Sequence, residues 1–161
     1  MQLSKNFSLA ELTRSATAAK FGIANTPNAE QVENLRALCV DCLQPARDLY
    51  GKPVIVNNGF RSQALNSAMA RSGYRVSANS QHLHGKAADI RDADKTKNKK
   101  LFDVLLERGV FDQLIWEDGG DQYPDWIHVS YRKTGNRKQA LRMRAGATTH
   151  RKYNPLTGWS V

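Results

Sequence analysis

The chain has 161 residues, of which 40% are hydrophobic, enough to build one domain around one core. It contains no run of about 18 apolar residues, which excludes a membrane span. The formal net charge of +9 is uneven: residues 1–131 hold 16 basic and 15 acidic side chains, and residues 132–161 hold eight basic and no acidic ones.

In chain order, residues 1–7 lack the apolar segment of a secretory signal. The expectation is a protein that stays in the cytoplasm of its producing cell and reaches any external substrate only after release. Ser8-Leu-Ala-Glu11 reads as a capping box that opens a short helix, which gives way near Gly22. Thr26-Pro-Asn28 opens a long helix that runs to about Tyr50 and stops at Gly51. Pro45 lies inside that helix and is expected to kink or split it. Val32, Leu35, Cys39, Cys42, Ala46 and Leu49 recur at helical spacing and form its inner stripe. Cys39 and Cys42 make a Cys-x-x-Cys, but they sit on that stripe and no second pair exists. They are therefore read as buried structural thiols rather than a redox pair or half a zinc ribbon.

Residues 52–56 read as a strand, and Asn57-Asn-Gly-Phe-Arg-Ser62 as the turn after it. Ser62 is placed to cap a helix from Gln63 to about Arg71, stopped by Gly73. Asp92 or Asp94 caps a further helix with Leu101, Val104 and Leu105 inward, closed by Gly109. Residues 113–117 and 126–131 read as strands, separated by the acidic loop Asp118-Gly-Gly-Asp121. Beyond Gly135 the pattern fades, with 139–145 strand or loop and 154–161 irregular. The expected organisation is one domain over residues 1–135 and a basic extension over 136–161, packed on it or trailing from it.

The chemistry concentrates in Ser80-Gln-His-Leu-His-Gly-Lys-Ala-Ala-Asp-Ile90. His82, His84 and Asp89 are zinc-binding side-chain types, and Gly85 supplies a pivot between them. In an extended run after Gly85, Ala87 and Asp89 share one face. Imidazole with carboxylate suits a catalytic zinc, which takes three protein ligands and leaves one position open. The stretch supplies two or three ligands, and the other candidates are His128 and His150. In Trp126-Ile-His-Val-Ser-Tyr131, Trp126, His128 and Ser130 face one way and Ile127, Val129 and Tyr131 the other. The second set is core, which leaves His128 on the cleft side beside the Trp126 ring. His150 shows no partner residues and is read as surface.

Asp125 precedes His128 by three residues, an odd separation on a straight strand. It follows Pro124, so it is read as lying in the turn and swinging toward the ion as general base. A metal lowers the pKa of its water to about 7, within reach of such a base. Glu117 is the alternative base, or a substrate contact.

Ser80-x-His82-x-x-Gly85-x-Ala87-x-Asp89, followed by Asp125-Trp-Ile-His128, resembles the signature of the zinc D-Ala-D-Ala carboxypeptidase and L-Ala-D-Glu endopeptidase family. These are the M15-type peptidoglycan peptidases, which include many phage endolysins. Pro45-Ala-Arg, Tyr50-Gly-Lys-Pro and Asn58-Gly-Phe-Arg-Ser62 also resemble that family, so the likeness spans about residues 7–131. It implies an α+β fold of the hedgehog/DD-peptidase kind, with a small antiparallel sheet bearing the metal. It implies one Zn2+ per chain on His82, Asp89 and His128, with Asp125 as base. It implies Arg61 against the scissile carbonyl, where a permanent cation opposes developing negative charge. Ser80 would hold a ligand or a substrate group. His84 falls at a variable position, as a third imidazole ligand, as cleft lining or as surface. Many relatives carry a glycine pair where this chain reads Ala68-Met-Ala-Arg-Ser-Gly-Tyr, so that loop is expected to differ.

The implied function is hydrolysis of an amide bond in the peptidoglycan stem peptide by a monomeric endolysin-like enzyme. The basic extension is either a solvated end or a contact for anionic cell-envelope polymers. Two other classes are weighed against this. A non-catalytic zinc-containing binding module would not need Asp125 or Arg61. A nucleic-acid-binding protein would work through the tail with salt-sensitive affinity and without His82 or Asp89; no nucleic-acid partner is expected.

Overall fold

The computed structural model describes residues 1–144, 151–154 and 158–159. His150 lies outside the described residues, as do residues 155–157, 160 and 161 of the expected irregular end. The architecture is α+β: helices from both halves of the chain pack on one face of a mixed sheet, and the other face is open.

The chain starts with a short hairpin, β1 (Gln2–Ser4) and β2 (Phe7–Ser8), which the sequence pattern did not reveal. Ser8 then caps α1 (Leu9–Thr13) in a reciprocal box with Glu11. After α2 (Ala16–Phe21), which ends at the left-handed Gly22, Asn28 caps α3 (Ala29–Ala37). The long helix continues as one π-helical segment, Leu38–Leu43, and then α4 (Gln44–Tyr50). Pro45 is the cause. It has no N–H for the carbonyl one turn back and its ring crowds that turn, so the backbone widens instead of breaking.

The wider turn advances the helix face. Leu35, Leu38, Cys39, Cys42, Leu43, Ala46 and Tyr50 are buried, while Leu49 is 68% exposed. The regular stripe expected to end at Leu49 therefore ends at Tyr50. Both thiols are buried and unbridged, and burial pushes each up to about 12, so neither is a reactive thiolate.

The sheet contains β3 (Ile55–Asn58), β4 (Ala87–Arg91), β5 (Gln113–Glu117), β6 (Trp126–Ser130), β7 (Gln139–Met143), β8 (Arg151–Asn154) and β9 (Gly158–Trp159), in spatial order β3-β4-β6-β5-β7-β8-β9. The β3-β4-β6-β5 part is antiparallel, and β7 joins β5 in parallel. The basic extension is thus sheet in part: Gln139–Met143 pairs residue for residue with Gln113–Glu117. α5 (Gln63–Arg71), capped by Ser62, lies between β3 and β4 in sequence. α6 (Asn98–Arg108) follows a 3-10 turn, Lys95–Lys97, that Asp94 caps.

Period-two alternation divides the sheet. Val56, Ala88, Ile90, Leu114, Trp116, Ile127 and Val129 point into the core with Leu35, Leu38, Leu101, Phe102 and Leu105. Burial of each of the larger aliphatic side chains contributes about 1.5–3 kcal/mol, which anchors the register of all four antiparallel strands. The alternate residues must then face the open side, and that side is the cleft. Among the described residues no helix is long and apolar enough to cross a membrane.

Candidate active site

The open face carries a cleft of about 810 Å3. Directly opposed residues of neighbouring strands share a face, and the register pairs Asn58 with Asp89, Asp89 with His128, and Glu117 with Trp126. All five line the cleft.

His82 arrives from outside the sheet. It lies on the 3-10 turn Gln81–His84, which ends at Gly85 in the left-handed conformation. A side chain at Gly85 would run into the backbone carbonyl of Gln31 on α3, so the pivot is both a turn and a close approach. At three residues per turn, positions two apart point about 240° apart. His82 is buried in the cleft wall, and His84 is exposed in an adjoining hollow, away from the ligand cluster. The possibility of His84 as a ligand is therefore not realised.

The three remaining ligand candidates converge. His82 Nε2 lies 3.2 Å from His128 Nδ1, His128 Nδ1 lies 3.0 Å from Asp89 Oδ1, and His82 Nε2 lies 3.4 Å from the same oxygen. Zinc–ligand bonds of about 2.0–2.1 Å in tetrahedral geometry place ligand atoms about 3.3–3.4 Å apart. The triangle, with sides of 3.0–3.4 Å, comes within about 0.3 Å of that edge length and presents two imidazoles and a carboxylate.

Supporting bonds fix the atoms that face inward. The Nδ1 hydrogen of His82 is donated to the carbonyl of Gly59 at 2.6 Å, leaving the Nε2 lone pair for the cleft. Asn58 donates from Nδ2 to Asp89 Oδ2 at 3.3 Å, so Oδ1 is the free ligand atom. Burial works to raise the Asp89 carboxyl, but His82 and His128 outweigh it and hold the group well below the usual carboxylate range.

Arg61 lines the same cleft, with Nη1 3.3 Å from Asn66 Oδ1 and its backbone N–H bonded to the His82 carbonyl. Burial lowers its pKa and Asp89 opposes that shift. Ser80 lines the cleft just before the 3-10 turn, without capping it through its hydroxyl. Trp126 forms a half-buried wall.

Asp125 lies in the bend just before β6, as expected, with its backbone N–H bonded to the Glu117 carbonyl, but its side chain does not line the cleft. The carboxylate is paired with Lys95 Nζ at 3.0 Å, in a separate hollow with Asp118 and Asp121. Glu117 occupies the cleft instead. Burial pushes its carboxyl up to about 7, with Asp89 and Asp118 adding to the shift and His128 opposing it.

A family model described as peptidase M15 matches residues 5–130. The chain belongs to the peptidase M15 family. It is similar to a solved structure, the Serratia marcescens L-Ala D-Glu endopeptidase ChiX, at 23% identity, covering 65% of this chain and 87% of that chain with a TM-score of 0.46. No curated protein matches the chain significantly. The M15 match takes in all three ligand candidates, Arg61, Glu117 and Asp125, and ends at residue 130, before the basic extension.

Several supporting residues of this M15 site were not singled out from sequence. Asn58 and Gly59 lie in the Asn-Asn-Gly-Phe-Arg-Ser turn, whose run of polar and glycine residues was the available signal. Asp112, fully buried, accepts from Arg137 Nε and Nη2 and from Gln81, the neighbour of His82. No periodicity marks such a link, because its two ends are joined only by tertiary contact.

Proposed function

We propose that this M15 family member is a zinc metallopeptidase that cleaves an amide bond in the peptidoglycan stem peptide. The observation that carries the reading is the triangle of His82 Nε2, Asp89 Oδ1 and His128 Nδ1 with sides of 3.0–3.4 Å, open toward an 810 Å3 cleft. The three residues would hold one zinc ion. When bound, zinc supplies Lewis acidity to the scissile carbonyl and lowers the pKa of water to about 7.

The residues of the chain supply the rest. Glu117 stands on the same sheet face as His128, two positions along β5 from its cross-strand partner Ile115. Its raised pKa, near 7, suits a group that takes a proton from the attacking water and returns it to the leaving amine nitrogen. We assign the general-base role to Glu117 in place of Asp125. Arg61 remains cationic and faces the cleft, where its guanidinium offsets charge developing on the carbonyl oxygen. The Trp126 ring provides a flat wall for the peptide, and Ser80 a hydroxyl for its backbone.

Lytic use of this activity in an endolysin setting rests on the sequence resemblance and is part of the same proposal. The test is zinc-dependent release of peptides from purified sacculi, with mass spectrometry of the products to identify the bond cut. Release by the zinc-loaded protein, abolished in His128→Ala, is the expected result. Intact sacculi after treatment with zinc-loaded protein would end the hydrolase reading.

A further inference from the structure

The cleft continues past the ligand cluster. Asn79, Gln81 and Arg132 line it and also line a second hollow of about 600 Å3. That hollow carries His84, Lys86, Arg132 and Lys133 and no acidic side chain. Among the described residues, the carboxylate paired with these charges is Asp112, 3.5 Å from Arg132. It is fully buried and already accepts a two-pronged bond from Arg137 and a third from Gln81. Among the described residues neither Lys86 nor Lys133 makes a salt bridge. The hollow around Asp118, Asp121 and Asp125 differs, since Arg144 and Lys95 pair with its acids.

Unbalanced like charges around one concavity repel each other and raise the local concentration of anions. Continuity with the cleft means that one extended ligand can reach both places. A peptide carries one kind of anion, the free carboxylate, at its acidic residues and its C-terminus. Guanidinium and ammonium groups together hold a carboxylate by charge-assisted hydrogen bonds.

We infer that the basic hollow binds a free carboxylate of the peptide whose amide lies over the ligand cluster, so that the enzyme selects acidic stem peptides over amidated ones. This inference rests on the peptidase reading and names the substrate class of that site. Two of the charges, Arg132 and Lys133, follow residue 130, where the family match ends. The hollow is therefore built jointly by the shared family segment, which supplies Lys86, and by the continuation of this chain beyond it.

The test uses a pair of synthetic stem peptides that differ only in whether the acidic side groups are free or carboxamides, hydrolysed by the full-length zinc-loaded protein. The expected kcat/KM ratio is about tenfold in favour of the free acid, the worth of one charge-assisted contact set. The difference should lie in KM and shrink as sodium chloride is raised. Lys86→Gln with Lys133→Gln should bring the ratio close to one at unchanged zinc content. Equal cleavage of the two peptides by the native protein overturns the inference and leaves the peptidase reading standing. Cleavage of neither overturns that reading as well. A double variant that keeps the full ratio removes these side chains from the carboxylate site. Selective inhibition by inorganic phosphate, with no preference between the peptides, would reassign the hollow to phosphate-bearing polymers.

Discussion

His82 Nδ1 lies 2.6 Å from the carbonyl oxygen of Gly59, and this bond decides which imidazole nitrogen faces the cleft. The carbonyl can only accept, so Nδ1 carries the hydrogen and Nε2 the lone pair. Gly59 is itself confined, because a Cβ there would fall on the backbone carbonyl of Leu12 in α1. Gly59→Ala should displace that carbonyl and weaken zinc binding by about 10–100-fold, the usual cost of losing a bond that orients a ligand. Titration with a competing chelator measures this. Unaltered zinc affinity in a folded Gly59→Ala protein would show that the bond does not orient the ligand.

Zinc should stabilise the fold. Binding at 1,000 times the dissociation constant adds about 4 kcal/mol, equivalent to about 10 °C in Tm for a domain of this size. Asp89→Asn and His128→Ala should abolish that rise in thermal melts with and without zinc. A comparable rise in either variant would place the ion elsewhere.

Glu117→Gln should retain zinc and lose about 10²–10⁴-fold in kcat, the range assigned to general acid–base catalysis. Asp125→Ala should retain zinc and most of its turnover, since its carboxylate is committed to Lys95. Paired steady-state assays decide between the two. The opposite ranking would return the base to Asp125 and require its pair with Lys95 to open during catalysis.

Asp112 ties the extension to the cleft wall, and its acid limb can be measured. Burial works to raise its carboxyl, but the bonds from Arg137 and Gln81 hold it down at about 2. The folded value lies below the unfolded value of about 3.9. Its contribution, about 2 kcal/mol, is therefore fully present above pH 4 and is lost as the pH falls toward 2. Asp112→Asn should cost about that much at pH 6 and little at pH 2 in urea denaturation. A difference independent of pH would mean that the ionised form contributes nothing to stability.

Local pattern alone determined much of this protein. Alternation along residues 126–130 placed His128 opposite the core residues Ile127 and Val129, and the same rule put Asp89 on the side of Ala87. The spacing of His82, Gly85 and Asp89 contained the turn that joins them. The helix caps at Ser8 and Ser62 were legible because capping is a contact between residues about three apart, and Asp94, one of two candidates, caps the 3-10 turn that leads into α6.

Other features required the tertiary structure. Period two says which residues share a face, not where the Asp125 carboxylate turns from the bend before β6; the tertiary structure pairs it with Lys95. The widened turn before Pro45 moved Tyr50 inward in place of Leu49, since a one-residue slip rotates every later position. Strand β7 has no strong pattern of its own and is sheet because β5 offers an open edge. That pairing carries the basic extension back to the cleft, where its charges stand beside the ligand cluster. Contacts between residues so far apart in sequence depend on which elements pack together, and no local periodicity records them.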